Sequence, residues 1–260
     1  MTLTDAIGHY LQDVAPNRLK PSTLYTAQST LRDWRRKLGN KQLVDITTSD
    51  ILTVRDAKKT PATQNRYVSV LSSVFREAIE RDWINSNPCL RIQARRTNNS
   101  DIGKSIPKAH LDIILKYAKK DTVPPEFYTL LQILYNTGCR LGEALSLNDS
   151  DIDYKNATLI FLDTKNGKDR MIPIDSNFAE WLSKRELPHK PYRYHWNEAI
   201  KQTGTHYRPH DIRHTFITEK LMEGVSPLVL GKYVGHGSIA ITQRYMHPDT
   251  EALRNQLNIG

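Results

Sequence analysis

Arginine, histidine and tyrosine side chains stand at short spacings in the second half of the chain, and these residue types can bind anions, move protons or act as nucleophiles. The segment from His210 to Phe216 reads HDIRHTF. On a helix, positions three apart share a face, so His210 and Arg213 can both point at one ligand. Such a pair more often lies on a solvated basic face, so its significance depends on the rest of the chain.

A second arginine, Arg140, follows a helix-ending glycine in the segment TGCRLGEALSL. Gly138 is predicted to end an apolar helix, and Leu141 and Ala144 are predicted to point inward on the next one. An arginine at a helix N-terminus lies beside free backbone amides, and both attract a phosphate group. The alternative is a surface arginine that pairs with Glu143.

A third cluster, VGHGSIAITQRYMHP, contains a histidine and a tyrosine. His236 lies in a turn bounded by glycines, and Tyr245 is predicted near the end of the helix that follows. Tyr245 is one of 12 tyrosines in the chain. Since most tyrosines are amphipathic packing residues, this tyrosine by itself indicates no function.

Two lysines are predicted at the tip of a β-hairpin. The run TLIFLDTKNGKDRMIPI reads as two short strands around Asn166 and Gly167. Asn-Gly between strands favours a type I′ turn, because both central positions need positive φ. Lys165 and Lys168 then lie on either side of the tip, where they either serve a site or remain exposed.

Most of the elements that must position these residues are predicted to be helices. An amphipathic helix follows Pro21 and ends at Gly39, with basic residues on its outer side, and Thr60 is the predicted N-cap of a second long helix. The polar run QARRTNNSDIGKS is predicted to be an exposed linker. We therefore predict a helical domain over residues 1–92, a linker over 93–105 and a second domain over 106–260. The fold class is mainly α (α+β), with a small antiparallel sheet in the second domain.

The composition restricts the classes of protein. The chain has 260 residues, 38% of them hydrophobic, and a formal net charge of +9. This charge fits a polyanionic partner and a merely basic globular protein equally well. Cys89 and Cys139 are too few for a disulfide framework or a thiolate metal site, which favours a reducing compartment. No apolar run approaches the ~18 residues of a membrane span, so neither membrane insertion nor export is expected.

Taken in order, these segments resemble the tyrosine recombinase family, also called the phage integrases. The resemblance covers nearly the whole chain and rests on five ordered features: Arg140, the lysine hairpin, His210-x-x-Arg213, Gly235-His236 and Tyr245. It implies a SAM-like helical core-binding domain at the N-terminus and a catalytic domain after the linker. It also implies a site-specific DNA recombinase, or integrase, that needs no metal, cofactor or ATP.

The resemblance assigns a role to each candidate residue. Arg140 and Arg213 would bind the non-bridging oxygens of the scissile phosphate, and His236 would donate to the same oxygens. His210 would act as acid or base for the tyrosine hydroxyl. Fixed guanidinium donors suit a transition state that gains negative charge.

The remaining two roles belong to the nucleophile and the general acid. Tyr245 would attack the phosphorus and form a covalent 3′-phosphotyrosine. Lys165 would protonate the departing 5′-oxygen, with Lys168 as the competing candidate.

Partners and location are also implied by the resemblance. The family acts on double-stranded recombination sites as a homo-tetramer, through a Holliday junction, and some members use accessory DNA-bending proteins. The expected location is the cytoplasm of a prokaryotic host, in association with DNA. The chain begins with the core-binding helices, so binding of a separate arm-type site is not expected.

Three alternatives stay open. His210 and His214 are spaced like a zinc pair on a helix, as in a metal hydrolase, although Arg213 would place positive charge beside the cation. A catalytically silent relative could bind DNA without cutting it. A type IB topoisomerase shares the chemistry, but its layout fits this short chain less well.

Overall fold

The computed structural model describes residues 1–97, 104–162, 169–238 and 242. The chain divides into two units, Met1–Asn99 and Ser100–Gly260. Within the described residues, no helix is both long and apolar enough to cross a membrane.

The first unit is helical. Its elements are α1 (Leu3–His9), a π-helical turn (Tyr10–Val14), α2 (Ala15–Arg18), α3 (Pro21–Leu38), a 3-10 turn (Leu43–Asp45), α4 (Thr48–Asp56), α5 (Pro61–Glu80) and a 3-10 turn (Pro88–Arg91). The predicted start and end signals of the two long helices are confirmed. Helix α3 ends at Gly39, which has a φ of 69°, and the Thr60 side chain accepts a hydrogen bond from the Thr63 amide at the start of α5.

Helices α3 and α5 supply much of the core of this unit. Leu31 and Trp34 on α3 and Leu71 and Phe75 on α5 are fully buried. The indole of Trp34 donates a hydrogen bond to the carbonyl of Tyr67, 3.0 Å away. The predicted basic residues of α3 lie on its exposed face: Arg32, Arg35, Arg36 and Lys37. This helix is therefore amphipathic as predicted, with its apolar stripe inward and its cations in solvent.

The predicted linker begins with residues that are bound to the first unit. The Arg95 amide donates to the Asn65 side chain, and the Asn65 side chain donates back to the Arg95 carbonyl, each over 2.8 Å. Residues 98–103, in the middle of the predicted linker, lie outside the described residues.

The second unit combines helices with a small sheet. Its elements are α6 (Lys108–Ala118), α7 (Pro125–Thr137), α8 (Leu141–Leu145), a 3-10 turn (Asp149–Asp151), β1 (Ile152–Asp153), β2 (Thr158–Phe161), β3 (Arg170–Pro173), α9 (Ser176–Leu182), α10 (Arg193–Lys201), α11 (Pro209–Met222) and α12 (Pro227–Val234). The mainly helical fold class with a small antiparallel sheet is confirmed.

The sheet has three antiparallel strands in the order β1-β2-β3. Strands β2 and β3 are the two predicted strands of the hairpin, and Phe161 pairs with Arg170 at the end nearest the turn. The turn itself, residues 163–168, lies outside the described residues. The short strand β1 was not predicted from sequence, because two residues carry no periodicity.

Gly138 brings α7 and α11 close together. It ends α7 in the left-handed conformation, with a φ of 59°. A Cβ at this position would lie 2.3 Å from the ring of Phe216 on α11, which no real side chain tolerates. Glycine therefore satisfies both the backbone conformation and the close approach of the helix that carries His210 and Arg213.

Candidate active site

Among the predicted site residues that the structure describes, Arg213 is the most deeply buried. It is 2% exposed, and its guanidinium donates to the carbonyls of Gly138 and Val234, each over 2.8 Å. Burial, followed by the nearby Arg140, lowers the Arg213 pKa to about 10. The side chain therefore stays charged at neutral pH. The two carbonyls use two of its five N–H groups, so donors remain for an anion.

Arg140 lies at the N-terminus of α8. It binds the carbonyl of Gly235, and Arg213 binds the carbonyl of the preceding residue, Val234. The Arg140 guanidinium donates to the Gly235 carbonyl over 2.6 Å and to the Glu143 carboxylate over 2.7 Å. The pairing of Arg140 with Glu143, the alternative interpretation of this arginine, is present. However, Glu143 is only 8% exposed, so this pair is part of the interior. The two arginines thus hold consecutive carbonyls of the turn that leads to His236.

A second arginine on Glu143 was missed by the sequence analysis. Arg170 on β3 donates to both carboxylate oxygens of Glu143, over 3.2 and 3.0 Å. The backbone amide of Arg140 donates to the same carboxylate over 2.8 Å. Burial by itself raises the pKa of Glu143, but the hydrogen bonds from Arg170 and Arg140 outweigh it and leave this pKa below its ordinary value. Glu143 is therefore an anion that holds two arginines in place.

Gly235 allows the turn before His236 to pass close to Arg170. It is left-handed, with a φ of 72°, and a Cβ there would lie 2.2 Å from Nη1 of Arg170. Only glycine permits this approach. Arg170 closely follows the predicted lysine turn in the sequence, but its pairing with Glu143 depends on the folding of β3 against α8.

His236 is partly buried beside the arginines. Its backbone amide donates to the Gly231 carbonyl over 2.8 Å, and Nδ1 of its ring lies 2.8 Å from Oγ1 of Thr242. Burial, then Arg213 and Arg140, lower the pKa of His236 to about 4. At neutral pH the ring is neutral, and it can act as a hydrogen-bond donor but not as a cation.

His210 lies in the first turn of α11 and is more exposed than Arg213. Partial desolvation of the ring, followed by the charge of Arg213, lowers the pKa of His210. Its ring meets that of His214 edge to face, with centroids 4.8 Å apart. Burial, then His210, lower the pKa of His214 to about 4.

The zinc-hydrolase alternative needs a third ligand near His210 and His214. Among residues 1–97, 104–162, 169–238 and 242, no group of three or more histidine, cysteine, aspartate or glutamate side chains is placed to hold a metal ion. The two histidines therefore remain a ring pair without an identified metal-ligand set in this part of the chain.

The structure brings four of the six predicted site residues together. Arg140 and Arg213 donate to the carbonyls of Gly235 and Val234, directly before His236. His210 lies about one helical turn before Arg213 on α11. Lys165, Lys168 and Tyr245 lie outside the described residues.

The fold is shared with solved integrases. A dimer of lambda integrase residues 75–356 bound to a COC′ core site superposes with a TM-score of 0.77 at 21% identity, covering 93% of this chain and 97% of that one. A lambda integrase tetramer bound to a Holliday junction superposes with a TM-score of 0.74 at 21% identity, covering 92% of this chain and 78% of that one.

Sequence comparison gives the family. The model of the phage integrase family matches residues 104–191 and 183–252, and that of the phage integrase central domain matches residues 5–95. Tyrosine recombinase XerC of Bacillus licheniformis is 29% identical over 267 residues, covering 87% of this chain and 86% of the relative. The chain belongs to the phage integrase family and is a tyrosine site-specific recombinase.

Proposed function

We propose that Arg140 and Arg213 bind the non-bridging oxygens of a scissile DNA phosphate while Tyr245 attacks its phosphorus. The observation that carries this proposal is the Arg213 guanidinium, buried and held by two backbone carbonyls. A donor fixed before the substrate arrives needs no reorganisation as the phosphorane gains negative charge. The Arg213 pKa of about 10 keeps the donor charged through the reaction.

The charged side chains around Glu143 favour binding of an anion. Arg140 and Arg170 donate hydrogen bonds to the ionised carboxylate of Glu143, and the negative charge of this carboxylate also acts on Arg213. Positive charge is therefore in excess, and burial strengthens its attraction for a phosphate. Glu143 offsets part of the repulsion between the arginines and orients Arg140 toward the turn before His236.

The two histidines take different roles in this proposal. His236 is neutral and donates a hydrogen bond to a non-bridging oxygen. His210 has a lowered pKa, so at neutral pH it is in the unprotonated form that can accept a proton from the hydroxyl of Tyr245.

Lys165 is proposed as the general acid, with Lys168 as the competing residue. Both belong to the turn between β2 and β3, and β3 starts with Arg170, which is paired with Glu143. This ion pair ties the base of the hairpin to the same carboxylate that holds Arg140. We expect a lysine of this turn to reach the leaving oxygen of a phosphate bound at Arg140.

The reaction is an exchange of phosphoesters. The Tyr245 oxygen forms a bond to phosphorus, the bond to the 5′-oxygen breaks, and that oxygen receives the lysine proton. A 5′-hydroxyl from a partner strand then reverses the sequence and releases the tyrosine. Since one ester replaces another, no ATP is needed, and in this proposal the arginines supply the positive charge that a metal ion would otherwise provide.

The proposed substrate is a pair of double-stranded recombination sites. Residues 1–92 would serve as the core-binding domain, using the exposed cations of α3, and residues 106–260 as the catalytic domain. The DNA-bound dimer and tetramer of lambda integrase support assembly on DNA as a tetramer. Accessory DNA-bending proteins and a prokaryotic cytoplasm complete the proposal.

Capture of the covalent intermediate on a nicked suicide substrate tests the proposal. The duplex is made from the DNA that flanks the gene, and the wild-type protein should form an adduct whose attached peptide contains Tyr245. Tyr245→Phe should bind the same duplex but form no adduct. Tyr194→Phe, which changes an exposed tyrosine on α10, is the matched control and should retain full adduct formation.

Each failure has a distinct meaning. Binding without any wild-type adduct would favour the second candidate function, a catalytically silent DNA-binding protein. An adduct that persists in Tyr245→Phe would show that another residue is the nucleophile.

A further inference from the structure

Thr242 contacts the ring of His236 from a fully buried position. Its exposed fraction is 0%, and its Oγ1 lies 2.8 Å from Nδ1 of His236. A buried hydroxyl at this distance forms a hydrogen bond with the ring.

Gly231 on α12 contacts both Thr242 and His236. A Cβ at Gly231 would lie 2.9 Å from Oγ1 of Thr242, closer than real side chains approach. The Gly231 carbonyl also accepts the hydrogen bond from the backbone amide of His236. Gly231 therefore leaves space for the Thr242 hydroxyl and also binds the backbone of His236, so the packing of α12 fixes both partners of the contact.

The charges around His236 make its tautomer important. The groups that act on it are Arg140 before α8 and His210, Arg213 and His214 on α11, and the preceding turn touches Arg170 on β3. Burial, followed by the charges of Arg213 and Arg140, keeps the ring neutral, and a neutral imidazole has one N–H and one lone pair. Only the tautomer with hydrogen on Nε2 leaves Nδ1 as an acceptor for the Thr242 hydroxyl.

We propose that Thr242 is a positioning residue, whose hydroxyl donates to Nδ1 of His236 and so holds the proton of the ring on Nε2, where it can donate to a phosphate oxygen. This inference rests on the proposed role of His236 as a neutral donor to the scissile phosphate. It assigns no contact between Thr242 and DNA. Thr242 acts through the histidine alone.

The tautomer can be measured directly in the DNA-free protein. Histidine labelled with ¹⁵N is incorporated, the signal of His236 is assigned with His236→Gln among the 9 histidines, and the protonated ring nitrogen is read from ¹⁵N–¹H correlations at pH 7.5. We expect hydrogen on Nε2 in the wild type and in Thr242→Ser. Thr242→Val should show a mixture of the two tautomers.

Covalent-adduct formation on the suicide substrate is measured on the same variants. We expect Thr242→Val to form adduct about tenfold more slowly, as for the loss of about one hydrogen bond in the transition state. Thr242→Ser should restore the rate to within about threefold. Thr129→Val is the matched control, because Thr129 is a buried helical threonine whose hydroxyl donates to the Pro125 carbonyl on α7, and its rate should match the wild type.

Hydrogen on Nδ1 of wild-type His236 would overturn the proposal, whatever the behaviour of the variants. An unchanged tautomer and rate in Thr242→Val would overturn it as well. If the wild type forms no adduct, the proposed function fails, but the tautomer measurement still decides the role of Thr242. If adduct forms normally while the Thr242→Val ring signal is unaltered, only this inference fails.

Discussion

The two units of the chain hold their arginines in different ways. On α3 of the first unit the cations lie in solvent, and Arg36 remains 75% exposed even though it pairs with Asp33 over 2.6 Å. In the second unit Arg213 is 2% exposed and is held by backbone carbonyls, while Arg170 is held by buried Glu143. One set is solvated, and the other is held by buried partners and largely desolvated.

The two arrangements suit two different interactions with a nucleic acid: contact with many phosphates and strong binding of a single phosphate. Exposed ion pairs contribute about 0–1 kcal/mol and are screened by salt, so exposed cations suit adjustable contact with many phosphates. A buried guanidinium interacts more strongly with one phosphate, but it costs stability unless its donors are satisfied. The carbonyls of Gly138 and Val234 accept two hydrogen bonds from Arg213 without neutralising its charge.

The largest effect is expected at Arg213. Arg213→Ala should slow covalent-adduct formation by about 10³-fold or more, by analogy with the loss of an oxyanion donor. It should also lower the melting temperature, because two carbonyls lose their donor. Arg213→Lys restores charge but not the two-pronged geometry, so it should recover stability in part and little of the rate.

The control for Arg213 is Arg193→Ala, which removes an exposed arginine from α10 and should leave the rate unchanged. Arg140→Ala should lose a similar factor in rate but less stability, since the Arg140 side chain is 23% exposed. A near-normal rate of adduct formation in a well-folded Arg213→Ala protein would show that the buried arginine has no special role compared with the exposed arginines of α3.

A smaller loss is expected at the hairpin. Lys165→Ala should slow cleavage about a hundredfold, since loss of a general acid typically has this effect. A substrate with sulfur in place of the 5′-oxygen needs no proton on its leaving group and should restore the rate of this variant. Lys168→Ala serves as the paired control, and rescue of Lys168→Ala instead would exchange the two assignments.

The buried histidines predict a dependence of stability on pH. The pKa of His214 is lowered to about 4, from an ordinary value of about 6.5. Between these values the unfolded chain binds the proton and the folded chain does not, so the free energy of unfolding falls as pH falls from about 6.5 to 4. Urea unfolding of His214→Gln should show a weaker decrease over this range than the wild type.

Carboxylates titrate in both proteins, so the difference between wild type and His214→Gln isolates the histidine. His206→Gln changes an exposed histidine and is the matched control for the substitution. A wild-type slope equal to that of His214→Gln would show that burial of this ring is not coupled to folding.

The smallest effect is expected on α3 of the first unit. Arg32→Ala should weaken DNA binding a few-fold and make the plot of log K against log salt shallower by about 0.9, the value for one phosphate contact. Lys41→Ala is the control, because Lys41 is already paired with Asp50 over 2.8 Å. Loss of cleavage without loss of binding in Arg32→Ala would place this arginine in the reaction itself.

Local sequence signals were sufficient for much of the fold. Pro21 and Gly39 bounded α3, Thr60 capped α5, Gly138 ended α7, and Asn-Gly predicted the pairing of β2 with β3. Each signal acts within a few residues, through a restricted φ, a capping hydroxyl or a turn preference. Such preferences are present in the chain before any distant contact forms.

The sequence by itself determined which side chains are available for chemistry and the order in which they occur. Tertiary structure decided how they are held: Glu143 between Arg140 and Arg170, and Arg213 on the carbonyls of Gly138 and Val234. These partners lie on separate elements, so no local period or spacing relates them. Only the packing of α8, β3 and α11 around one turn brings a buried carboxylate and free carbonyls within hydrogen-bond distance of the arginines.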